Sequence, residues 1–98
     1  MKESIIKEKS FNFALQIIEL YVFLKKNNEH VISRQLLRSG TSIGANVNED
    51  LVGVSKVDFI NKMDIANKEA RETLYWLELL NESQMINFNF PEYIHNCN

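Results

Sequence analysis

One proline and three glycines in 98 residues leave this chain few ways to turn. A sheet of short strands needs a turn residue at each reversal, so repeated hairpins are disfavoured and a few long helices become the expected elements. Hydrophobic spacing agrees. In SFNFALQIIELYVFLKKN, Ser10 to Asn27, the residues Phe11, Leu15, Ile18 and Val22 recur at steps of four and three, the repeat of one helix face. Phe13, Ile17, Leu20, Tyr21 and Leu24 widen that face past half the circumference. A helix this apolar needs cover on more than one side, and in so short a chain the second cover can come from another subunit. Lys25 and Lys26 suit the dipole at its end, and Asn27-Asn28 stops it.

A second helix is expected over about 30–51. Ile32, Leu36, Leu37, Gly40, Ile43, Gly44, Val47 and Leu51 share one stripe, and Arg34, Arg38, Ser42, Asn46 and Glu49 share the opposite one. The stretch SGTSIGANVNED, residues 39–50, superficially looks like a phosphate-binding loop. A P-loop needs Lys-Ser/Thr after its second glycine, whereas Ala45-Asn46 follows Gly44, and the preceding SRQLLR is helical, not a strand. The stretch therefore reads as continuous helix. Gly40 and Gly44, flanked by Ser39 and Ala45, then lie on the core side and permit close approach of a neighbour. Each glycine costs about 1 kcal/mol of helix propensity, which packing must offset.

Ser55 followed by Asp58 marks a capped start for a third helix, about 56–82. One apolar stripe runs Phe59, Met63, Ala66, Ala70, Leu74, Leu77. A second set, Ile65, Glu69, Glu72, Trp76 and Leu79, suggests a second partner surface, with Ile65 and Trp76 as candidate subunit-interface residues. Glu78 and Glu82 sit where the dipole disfavours acids. In the tail, NFNFPEYIHNCN, Pro91 can open a helix with Glu92 in its first turn, giving a stub of at most two turns, about 91–96. No repeat or linker divides the chain, so one domain spans residues 1–98.

Most chemistry is disfavoured. Cys97 has no partner, which excludes an intrachain disulfide and a cysteine-based zinc site. Glu69 and Glu72 could pair with Glu49 or Asp50 at a metal, but no Glu-x-x-His accompanies them, and pairing with Arg34, Arg38 or Arg71 is the plainer expectation. His30 and His95 lie near helix or chain ends, outside any nucleophile motif. No enzyme, cofactor or metal is expected. Residues 1–10 alternate charges without an apolar core, and the stretch from Phe11 to Leu24 is broken by Asn12, Gln16 and Glu19, so neither a secretory signal nor a membrane span is expected and the location reads as cytoplasmic. The net charge is −2, with +3 on residues 1–38 and −5 on residues 39–98. Solvated helix faces account for that split more simply than a nucleic-acid footprint does.

RQLLRSGTSIGANVNED and SKVDFINKMDIANKEARETLYWLELL resemble the four-helix-bundle family first noted in insertions of bacterial 23S ribosomal RNA genes, the intervening-sequence type. The resemblance covers about residues 10–80; Arg38, Ser42, Asn46, Glu49, Ser55, Phe59, Ile65-Ala66 and Glu72 match the family pattern. It implies an up-and-down antiparallel bundle and a homopentameric assembly. It also implies association with ribosomal RNA or another ribonucleoprotein. Two departures stand out. Many relatives carry Gly-x-x-Arg after the glutamate matched by Glu49; here Asp50 follows and Gly53 replaces the arginine, so an anion contact is missing. The family's long fourth helix is also cut to a stub.

The expectation is an all-α bundle of three long antiparallel helices plus that stub, non-enzymatic and homo-oligomeric. Arg34, Arg38, Ser42, Asn46, Glu49 and Glu72 are the candidate polar network. Two roles stay open for it: fixing helix register or subunit contacts, and contacting nucleic acid. The alternative function is a protein-binding adaptor whose open groove accepts a partner helix.

Overall fold

The computed structural model describes residues 2–50, 55–83 and 90–97. Among them every regular element is helical: α1 (Lys2–Lys26), α2 (Ile32–Asp50), α3 (Lys56–Ser83) and α4 (Phe90–Cys97). The helices form an up-and-down antiparallel bundle whose fourth member is a stub. The 28 residues of α3 span about 42 Å at 1.5 Å per residue, close to the 44 Å long axis of the molecule.

α1 starts at Lys2, earlier than the expected Ser10. Lys7, Glu8 and Lys9 are good helix formers that stay exposed, so apolar spacing carries no sign of them. Its end is a Schellman turn. Asn28 takes a left-handed φ of 66°, the Asn28 N–H bonds Lys25 O at 3.0 Å, and the Glu29 N–H bonds Leu24 O at 2.9 Å. The same turn starts α2. The buried Glu29 carboxylate accepts the N–H groups of Val31, Ile32 and Ser33 at 3.2, 3.1 and 2.6 Å. That cap sets the start of α2 at Ile32, two residues beyond the expected His30. At α3 the expected cap is present: the Asp58 N–H donates to Ser55 Oγ at 3.2 Å, and the Ser55 hydroxyl donates to Asp58 Oδ2 at 3.1 Å.

The core joins Phe13, Ile17, Leu20 and Leu24 of α1, Leu36 of α2, and Leu77 and Leu80 of α3. Thus the α1 residues that widen the apolar surface are the ones buried inside. Phe11, Leu15, Ile18 and Val22 point outward instead, 43–63% exposed. On α3 the buried positions are Ala66, Thr73, Leu77 and Leu80, while Phe59 stays 37% exposed. Thr73 is fully buried because its hydroxyl is satisfied. It lies 2.8 Å from both the Glu69 carbonyl and the Ser39 hydroxyl, and Ser39 is itself fully buried on α2. One proton serves both contacts when Thr73 donates to the carbonyl and accepts from Ser39.

α2 packs against both α1 and α3, α4 lies on α3 and touches α1, and α1 and α3 occupy a diagonal.

Candidate functional site

The α2–α3 seam brings the polar side chains together. Arg38 stands one turn ahead of Ser42 on α2, opposite Glu69 and Glu72, which are three residues apart on α3 and so share a face. Arg38 Nη1 donates to Glu69 Oε2 at 3.1 Å, and Nη2 donates to Glu72 Oε2. Trp76, one turn past Glu72, donates its indole N–H to the same Oε2 at 3.1 Å. Of the three arginines weighed as partners for these acids, the structure uses Arg38. The hydrogen bond from Arg38, then that from Trp76, holds the Glu72 carboxyl below its ordinary range against the opposing effect of burial. The reciprocal bond to Glu72, together with the charges of Glu69 and Glu72, raises Arg38.

The other stripe residues turn inward along their own helix. Ser42 Oγ donates to Arg38 O at 2.6 Å, and Asn46 Nδ2 donates to Ser42 O at 2.8 Å. Arg34 Nε donates to His30 O at 2.8 Å, away from the acids. The Glu49 side chain and residue Gly53 lie outside the described ones. The cluster is therefore Arg38–Glu69–Glu72–Trp76, with a ladder of back-bonded polar groups running from it along α2. Each Nη atom of Arg38 donates to a carboxylate and the local charge sums to negative, which disfavours a phosphate at the half-exposed guanidinium. The bridge spans α2 and α3 of one chain.

Gly40 and Gly44 face α1. A β-carbon on Gly40 would meet Ile17 Cγ1 at 2.8 Å, and one on Gly44 would meet Ser10 O at 3.3 Å. Sequence spacing misses the buried Ser39–Thr73 hydroxyl pair, because a threonine in a helix gives no apolar signal. It also misses the Glu29 cap, because the residue lies outside any periodic stripe.

Among the described residues no group of three or more His, Cys, Asp or Glu could hold a metal, and no helix is long and apolar enough to cross a membrane. Two further surfaces remain. One is the outward stripe of α1. The other is a groove of about 640 Å³ beside α4, walled by Phe13, Val47, Met63, Ala66 and Ala70 and by the polar Asn12, Gln16, Asn67 and Asn96, with Cys97 at its edge. Ile65 is 40% exposed, and Trp76 is half-buried against the core.

The family model described as 23S rRNA-intervening sequence protein matches residues 2–98. A crystal structure of a protein of unknown function from the S23 ribosomal protein family of Bacteroides thetaiotaomicron is similar, with 47% identity and a TM-score of 0.93. The match covers 99% of this chain and 88% of that one. No curated protein matches the chain.

Proposed function

The chain belongs to the 23S rRNA-intervening sequence protein family, and we propose that it works as a non-enzymatic, self-assembling helical bundle associated with ribosomal RNA or a ribonucleoprotein. The observation that carries self-assembly is the α1 stripe. Phe11, Leu15, Ile18 and Val22 are 63, 47, 43 and 45% exposed in one continuous helical row. Soluble proteins cover rows of this kind, and a second copy of the chain supplies the cover. The family resemblance makes a ring of five the expected assembly. Sedimentation equilibrium of the purified chain tests this: assembly gives a mass several times that of one chain, and a monomer at micromolar concentration would remove the reading.

The ribonucleoprotein part is supported by the family description and by the ribosomal family of the similar crystal structure. Two carboxylates engage Arg38 and disfavour phosphate there, so we assign such contact to other cations or to protein. A salt titration with 23S rRNA fragments separates these routes: direct phosphate contact gives an affinity that falls steeply with salt, and contact through protein gives no binding by the isolated chain. The groove beside α4 supports a second reading, an adaptor accepting a partner's amphipathic helix. The methyl resonance of Met63, on the groove wall, would shift on such docking and stay unmoved without it.

A further inference from the structure

We infer that the groove beside α4 takes one helix of a partner protein, an acidic amphipathic helix about three turns long, laid end to end with α4. The inference rests on the adaptor reading and names the partner's chemistry. α4 stops partway along the trough between α1 and α3. Its last turn is held there twice: the Asn96 amide donates to Gln16 Oε1 at 3.2 Å, and the Cys97 thiol donates to the Ala70 carbonyl at 3.3 Å. The groove starts at that level, and Ile43 and Val47 of α2 line it as well. On α3, Met63, Asn67 and Ala70 line it at steps of four and three, and Ile60 and Lys56 continue that row to the start of the helix. On α1, Lys9, Asn12 and Gln16 line it, and Ile5 continues the row one turn earlier. Ile60 and Ile5 are 50 and 52% exposed, so each wall carries an uncovered apolar residue past the groove. Ile5 to Gln16 rises about 16 Å and Ile60 to Ala70 about 15 Å at 1.5 Å per residue, the length of about three helical turns. Two rows at this spacing are the seams between which a further helix packs.

Charge names the partner. The two rows carry Lys9 and Lys56, both exposed, and His95 stands at the α4 end of the groove. Among the described residues neither the rows nor the groove lining holds an Asp or Glu. The nearby acids turn elsewhere. Glu8 lines the cleft between α1 and α2, on another side of α1. Asp58 lies across α3 from Lys56, where its carboxylate accepts the Ser55 hydroxyl. Asp64 is exposed one residue past Met63, about 100° round α3 on its outer flank. Glu19 and Glu92 stand near Tyr93, alongside α4 and not beyond its end. Apolar walls with cations on the rim fit a helix whose apolar face is flanked by Glu or Asp. Exposed pairs add little affinity, so burial of Ile5, Ile60 and Met63 supplies the binding and the lysines select the sign of the partner.

The test uses two fluorescein-labelled peptides of three turns, identical in a leucine seam and carrying either glutamate or lysine on both flanks. Fluorescence anisotropy gives the affinity, and the Met63 methyl resonance gives the place. The glutamate peptide is expected to bind and to shift Met63. The lysine peptide is expected to bind about tenfold more weakly at low salt, a gap that closes as salt screens the rim. The double variant Lys9→Glu, Lys56→Glu is expected to reverse that order, and Ile60→Glu to weaken both peptides; all three positions are exposed, and circular dichroism checks that each chain is folded. Equal affinities for the two peptides, or an order that the double variant leaves unchanged, overturn the acidic partner; if Met63 still shifts, the adaptor reading stands. No binding of either peptide up to about 1 mM removes both. Light scattering follows the same titrations. A mass that falls as peptide enters means that a second copy held the groove, which also overturns the inference.

Discussion

Gly40 of α2 lies so close to Ile17 of α1 that a β-carbon on it would sit 2.8 Å from Ile17 Cγ1 and 2.9 Å from Cγ2. Ile17 is fully buried and β-branched at that contact, so it has little freedom to move away. Gly40→Ala gains about 1 kcal/mol of helix propensity but overpacks the seam, at about 1–3 kcal/mol. The net expected effect is a loss of stability. Gly44 is a contrast: its added β-carbon meets Ser10 O at 3.3 Å, a tight contact but not a clash. Gly44→Ala should be near neutral or slightly stabilising. Urea midpoints of the two variants check the difference, and equal shifts would contradict the packing account.

Glu72 ties α3 to α2, and Trp76, the one tryptophan of the chain, donates to it. Its carboxyl titrates below the ordinary 4.5 in the folded chain. A depressed carboxyl contributes stability that is complete above its unfolded value and is lost as pH falls through the folded one. The contribution should therefore fade below about pH 4.5 and be constant at neutral pH. The side chain is a third exposed, so Glu72→Gln is expected to cost no more than about 1 kcal/mol at pH 7, and nothing once both proteins are acidified. Tryptophan emission reports the same event. A transition below pH 4.5 that vanishes in Glu72→Gln is the expected outcome; an identical transition in both proteins would assign it elsewhere.

How much of this was legible beforehand follows from what each signal encodes. The third helix began where Ser55 and Asp58 announce a cap, because a cap is local chemistry. The continuity of α2 through both glycines was legible because two opposed stripes persisted across them. The rotation of α1 was not. Phe11, Leu15, Ile18 and Val22 are as apolar and as well spaced as Phe13, Ile17, Leu20 and Leu24, and only the partner helices decide which row goes inside. Thr73 was invisible for another reason: it looks like a surface residue until the Ser39 hydroxyl faces it. At the site, the polar row on α2 was readable, but Arg34 and Arg38 looked equivalent, and one turn of helix decides which reaches the α3 acids.

The α1–α2 turn concentrates two functions in Asn28 and Glu29. Asn28 holds the left-handed conformation that closes α1, and Glu29 supplies the cap that opens α2. Glu29→Ala removes the acceptor of three N–H groups and is expected to cost about 0.5–2 kcal/mol. Asn28→Ala places a β-carbon in the left-handed region at about 1 kcal/mol, while Asn28→Gly should be tolerated. Thermal denaturation of the three variants checks the order: Asn28→Gly near wild type, the two alanine variants lower. An Asn28→Gly variant as unstable as Asn28→Ala would mean that the asparagine side chain, and not its backbone, closes the turn.

Cys97 reads out the docking of α4. Its thiol donates to the Ala70 carbonyl at 3.3 Å, and burial pushes its pKa up to about 11, from an ordinary 9.0. Only the thiolate reacts, so at pH 8 the docked thiol should be alkylated about a hundredfold more slowly than an unhindered one. An eight-residue helix is marginal without its packing, and Tyr93 and Ile94 provide that packing against the core. Ile94→Ala should therefore loosen α4 and raise the alkylation rate toward that of the urea-unfolded chain, while far-UV circular dichroism falls only slightly. The rate is measured with iodoacetamide under native conditions and in urea. A wild-type rate equal to the unfolded one would mean that α4 spends most of its time off α3, leaving the groove walled by Met63, Ala66 and Ala70 open along its whole length.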